Sequence, residues 1–156
     1  MSCTIFLKTG RAFLLFILLT GGCSNEDDMQ TVIYPSLIGK GDLYGSGEEG
    51  IQKQNIVISD TAAWNELKIK MNCINNTTGS FTETEINFSE YIILAAFSEL
   101  RPLGGCSIEI KNVFEYSGGI NVRIENFVPQ AGVAEETHPY HIVKIPKKNK
   151  QIFFEW

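Results

Sequence analysis

Residues 107–127 read SIEIKNVFEYSGGINVRIENF, and this stretch decides the fold class. Ile108 and Ile110 alternate with Glu109 and Lys111, and Ile120, Val122 and Ile124 alternate with Asn121, Arg123 and Glu125. A period of two sends one set to each face of a strand. Between the two runs, Gly118-Gly119 predicts a tight hairpin turn. Strands joined so closely run antiparallel. Upstream, Tyr91–Phe97 (YIILAAF) is an unbroken apolar run, which predicts a central strand covered on both faces. Downstream, residues 140–145 predict another strand, and residues 151–156 a short last one after the basic turn Lys147-Lys148-Asn149-Lys150. Residues 52–59 predict a strand that ends at a helix N-cap, Ser59-Asp60, whose short oxygen side chains accept from free first-turn amides. Ala63, Trp64, Leu67 and Met71 then recur at helical spacing, so a helix is predicted over 61–72. Residues 75–85 read as a polar loop, and the glycines from Gly39 to Gly50 as a loose opening strand and turn. The expected fold is α+β, one amphipathic helix packed on a mostly antiparallel β-sheet.

The N-terminus carries a different signal. Lys8 and Arg11 precede an apolar core over 12–19, and small residues follow at Gly21 and Gly22. That is the layout of a secretory signal, and its core is short of the roughly 20 residues a membrane span needs. Cys23 stands directly after the glycines, and the segment resembles the lipobox of bacterial lipoproteins. In that family an aliphatic residue usually sits three places before the cysteine; here Thr20 does, with Leu19 one place further back. The resemblance implies a signal peptide over 1–22, cleavage before Cys23 and a lipid anchor on its thiol; the other reading is a plain signal peptide with an incidental cysteine. Each buried methylene of such a lipid contributes about 0.8 kcal/mol, so two or three chains hold firmly to a membrane. Residues 23–36 are then expected as the lipidated cysteine and an acidic tether, and 37–156 as a single domain. The acidic run also resembles the signal that sends some Gram-negative lipoproteins to the outer surface, and equally suits a solvated spacer. The expected location is the cell envelope, lipid-anchored at the outer membrane, either periplasmic or surface-exposed.

The chain has 13 basic and 18 acidic side chains and a formal net charge of −5, and removing Lys8 and Arg11 makes the rest more acidic. Nucleic acid is excluded as a partner class, because phosphate binding needs a basic face. With Cys3 and Cys23 assigned to the signal and anchor, the folded part holds Cys73 and Cys106. They are expected either to form a disulfide, removing about 3–4 kcal/mol of unfolded-chain entropy, or to be buried singly as small hydrophobes. No catalytic constellation emerges. His138 and His141 (HPYH) have no third ligand nearby for a metal, no serine sits in a nucleophile elbow, and GKGDLYGSGEEG lacks the ending of a phosphate loop. The expectation is a protein that is not an enzyme and has no cofactor or metal.

Residues 86–130 and 137–147 carry a more specific pattern: Ile86 to Tyr91 leading into the apolar strand, then Arg101-Pro102-Leu103-Gly104-Gly105-Cys106-Ser107-Ile108, then a closing segment from Pro139 to Pro146. In order and spacing they resemble the C-terminal domain of the PrcB-like family, the protease complex subunit or protease stability complex proteins. The family's usual tyrosine after the two glycines is Cys106 here. The resemblance implies a non-enzymatic accessory subunit that binds and stabilises another exported protein, such as a protease. Arg101, Pro102, Gly104 and Gly105 are the implied partner-binding residues, because glycines let a partner's backbone approach closely; a bulge or tight turn explains the same glycines without a partner. Two other functions stay open: a protease inhibitor that inserts the 101–106 loop into a cleft, and a structural envelope lipoprotein. Finally, Asp60-Thr61-Ala62 resembles a bacterial O-glycosylation site, with Thr61 as acceptor, while Asp60 as a simple N-cap explains the same residues.

Overall fold

The computed structural model describes residues 29–156. The expected signal peptide over 1–22 and the expected lipidation site Cys23 lie outside the described residues. The elements run β1 (Thr31–Ile33), β2 (Ser36–Asp42), β3 (Gln54–Ile58), α1 (Thr61–Met71), a 3-10 turn (Thr77–Ser80), β4 (Tyr91–Phe97), β5 (Ser107–Tyr116), β6 (Gly119–Phe127), β7 (Pro139–Pro146) and β8 (Ile152–Glu155).

Among the described residues the fold is α+β with one helix, but with two four-stranded sheets where one sheet was expected. Their strand orders are β1-β5-β6-β8 and β2-β7-β4-β3. Every pairing is antiparallel except β6 with β8, which is parallel. The folded part also starts at Thr31 rather than near Leu37, since β1 pairs with β5 and buries Ile33. A three-residue strand with one buried side chain is too short to show a period.

The β4 run explains the layering. Ile92, Leu94 and Ala96 belong to a buried cluster shared with Ile108, Ile110 and Val113 of β5 and Ile120, Val122 and Ile124 of β6. Their neighbours Ile93, Ala95 and Phe97 belong to a second cluster with Trp64, Leu67 and Met71 of α1. A strand covered on both faces needs no polar face, which is why YIILAAF shows no alternation. Each fully buried Ile or Leu contributes about 1.5–3 kcal/mol, so this strand anchors both compartments.

Two local departures follow from the second sheet. The β5–β6 pairing shifts register between Ile110 and Asn112, a bulge at Lys111. It turns Val113 inward, where an unbroken period would have placed Asn112. The hairpin closes at the pair Tyr116↔Gly119, so Gly119 is already strand and Ser117-Gly118 forms the turn. Gly119 is small because β8 passes beside it: a Cβ there would stand 2.7 Å from the Gln151 carbonyl oxygen. The basic turn before β8 is held at this hairpin. Lys150 Nζ donates to the Tyr116 carbonyl at 2.5 Å, and Lys148 and Lys150 pair with the Glu115 carboxylate at 3.5 and 3.3 Å. The hydrogen bond from Lys150 is the main reason the Glu115 carboxyl is held below its usual range.

Candidate partner-binding site

The chain crosses between the two sheets four times, and two of these crossings, the β4–β5 and the β6–β7 connections, come together. The first contains the 101–106 loop singled out in the sequence. The two connections are joined by backbone bonds. Arg101 and Thr137 form an isolated antiparallel bridge, each amide donating to the other's carbonyl at 2.9 Å. The Gly104 amide donates to the Val133 carbonyl at 2.9 Å, and the Thr137 hydroxyl donates to the Leu103 carbonyl at 2.8 Å.

This geometry reassigns the two glycines. Gly104 is buried, and a Cβ on it would stand 2.7 Å from Val133 Cγ2. It spaces one loop against the other rather than facing solvent. Gly105 is exposed with φ +85°, the left-handed region that favours glycine. Pro102 is exposed, whereas Arg101 is half-buried with its guanidinium paired to the Glu99 carboxylate. Of the four residues expected to meet a partner, Pro102 and Gly105 are therefore the ones presented outright. The loop pair adds residues that the sequence reading did not single out: Val133, 67% exposed, with Phe127, Val128 and Leu100 also exposed. In sequence they were scattered apolar residues at or beyond strand ends, and no period marked them.

The other singled-out residues lie apart from this ridge in role. Cys106 is buried, with its thiol donating to the Leu103 carbonyl at 3.3 Å, while Cys73 is exposed just past α1, with its sulfur 4.0 Å from the Glu48 carbonyl oxygen. Both are free thiols in this structure, each sulfur beside a different carbonyl oxygen. Thr61 is the exposed first residue of α1, and the Asp60 side chain caps that helix by accepting from the Ala63 amide at 2.9 Å.

His141 is 6% exposed and faces the compartment between the sheets, where its Nδ1 accepts from the Ile110 amide of β5 at 2.7 Å. Burial, helped by Lys40 and opposed by Glu109, pushes its imidazole down to about 4. It therefore acts as a neutral tie between sheets. His138 is also buried, and burial lowers its pKa as well. Neither of its ring nitrogens has a hydrogen-bond partner. Among the described residues, no group of three His, Cys, Asp or Glu side chains is arranged to hold a metal ion.

No family model, no curated protein and no solved structure matches the chain.

Proposed function

We propose that this protein is a non-enzymatic accessory lipoprotein of the cell envelope, PrcB-like in its role, that binds and stabilises another exported protein, a protease being the leading class. The observation that carries the reading is the pair of crossing loops, which presents exposed Val133, Phe127, Val128, Leu100 and Pro102 on backbone tied by reciprocal bonds. Exposed apolar side chains on ordered backbone suit docking, because less entropy is lost when the partner arrives. The half-buried Arg101, held by Glu99, suits a buttress better than a side chain reaching into a protease cleft, which favours the accessory role over the inhibitor. In this reading a lipid on Cys23 supplies the membrane attachment, and Thr61 is open to an O-glycan.

A photo-crosslinking residue at position 133 in the native host tests the docking surface, with position 69 on exposed Ile69 as the control. One exported protein should be captured from position 133 and not from 69, and its level should fall in cells lacking this chain. Equal capture from both positions, or a partner whose level is unchanged, would overturn the reading. Cys23→Ala should release the chain from the membrane fraction, and the native mass should show whether a glycan leaves with Thr61→Ala.

A further inference from the structure

The two sheets end in the edge strands β1, β8, β2 and β3. An open edge is a row of unpaired amides and carbonyls, and proteins ordinarily blunt it with short strands, charges, bulges or a covering segment. β1 has three residues, and β8 has four, one of them Glu155. β2 has a register shift between Leu37 and Gly39, and Thr82 covers it there. The Thr82 amide donates to the Ile38 carbonyl at 2.9 Å, and its hydroxyl to the Leu37 carbonyl at 2.7 Å. β3 has none of these devices. It reads Gln54-Asn55-Ile56-Val57-Ile58, without a charge, a proline or a register shift. Among the described residues, no backbone hydrogen bond outside the β4 ladder reaches it.

A groove lies beside this edge. α1 follows β3 in the chain, and a cavity of about 260 Å³ lies between the two elements. Ile56, Ile58, Ala63 and Leu67 line it, together with Glu66 and Lys70. The last two pair with each other at 2.9 Å, so the lining asks for no charge in return. Ile56 and Ile58 pack into the cluster that holds the α1 residues, while Val57 turns to the other face and is 41% exposed. A strand laid beside β3 would send its side chains alternately to the same two faces. The unpaired backbone thus calls for an extended backbone as occupant, and the groove calls for apolar side chains on alternate residues.

We propose that an extended, uncharged segment of another protein adds to β3 as a fifth strand of the β2-β7-β4-β3 sheet, with alternate apolar side chains in the groove against α1. Backbone bonds supply the affinity, and the groove sets the register. A second copy of this chain fits less well, because its own Ile56 and Ile58 already pack in its core and leave nothing to enter the groove. The site uses none of the crossing-loop residues, so it stands or falls separately from the docking surface.

The test is amide NMR titration of the full chain in detergent, with hydrogen exchange read at the same amides. The probe is a short end-capped peptide alternating valine and threonine. Its control is the same peptide N-methylated throughout, which keeps the side chains and loses the backbone donors. The unmodified peptide should shift the amides of residues 54–58 and slow their exchange. N-methylation of the peptide and Val57→Lys should each weaken binding about tenfold or more, one by removing donors and the other by charging the edge. Val32→Lys, at the β1 edge, should leave binding unchanged. Val57 and Val32 are 41% and 45% exposed, so neither lysine enters the core. No response at 54–58, equal binding of the N-methylated peptide, an equal response at β1, or pairing of two copies through β3 without peptide would overturn the proposal.

Discussion

The two buried compartments on either side of the β2-β7-β4-β3 sheet are filled differently. The buried residues of the one between the sheets are all aliphatic, Ile, Val, one Leu and one Ala, with partly buried Ile152 and Phe154 packed against them. The one containing α1 residues holds Trp64, Phe97 and Tyr140, with Phe81 and Phe88 packed against it. Two pleated sheets present regular rows, and β-branched side chains of similar size interdigitate between them. The other cluster draws on residues of α1 and of loops as well as strands, and large rings take part in filling it. Trp64 stacks on Phe81 with centroids 5.9 Å apart, and Phe81 in turn lies 6.2 Å from Tyr140. Gly39 is required for that arrangement, since a Cβ there would lie inside normal contact distance of the Phe81 ring. One compartment thus spreads its stability over many equal residues, and the other concentrates it in a few.

Trp64→Ala tests the concentrated side. It removes the largest fully buried side chain and the bond from the indole Nε1 to the Thr84 carbonyl at 2.8 Å. Denaturant unfolding should show a loss of about 3–5 kcal/mol. A loss no larger than that of an ordinary aliphatic truncation would break the contrast.

The aliphatic compartment has one polar tie, His141, and pH probes it. The unfolded imidazole takes up its proton near 6.5, while the folded one stays neutral down to about 4. Between those values the unfolded state binds more protons, so stability falls as pH is lowered through the window and the loss levels off below it. The full loss is about 3 kcal/mol, the free-energy equivalent of a shift from 6.5 to about 4. His138, also lowered, acts in the same direction, so the comparison is with His141→Gln, whose stability-versus-pH curve should be flatter over that window. Identical slopes in the two proteins would show that the sheet–sheet tie is not what titrates.

Ile124→Val sharpens the distributed side. Removing one methylene among many equal neighbours should cost only about 0.5–1.5 kcal/mol in the same unfolding measurement. The smallest perturbation is chemical. Without reductant, alkylation of the folded chain should label Cys73 at once and Cys106 only after unfolding, read by peptide mass. A linked peptide in place of two alkylated ones would restore the disulfide.

Strand existence was legible wherever a period or an apolar run was long enough. β4, β5, β6 and β7 all stand where the sequence placed them, and α1 spans Thr61–Met71 against an expectation of 61–72. β1 was missed because three residues carry no period, and the bulge at Lys111 because alternation looks the same until a partner strand sets the register. In the candidate site, the 101–106 loop was legible as a pattern, but its glycines were ambiguous. Only the contact with Val133 distinguishes a spacer at Gly104 from an exposed left-handed residue at Gly105. A cavity lined by residues of β2, β7 and the 3-10 turn was invisible in sequence, because no local pattern brings those elements together.

By itself the sequence determined the longer strands, where the helix starts and what caps it, and that the hairpin of β5 and β6 is antiparallel. These are local matters: periodicity, a cap and a short turn act between residues close in the chain. The tertiary structure alone decided that the strands divide into two sheets, that β8 runs parallel to β6, and that the β4–β5 and β6–β7 connections are tied to each other. Apolar strands of either sheet satisfy the same hydrophobic demand, so composition does not choose between them. The choice is made by pairing and packing between residues far apart in the chain, such as Lys150 with Glu115, His141 with Ile110 and Gly104 with Val133.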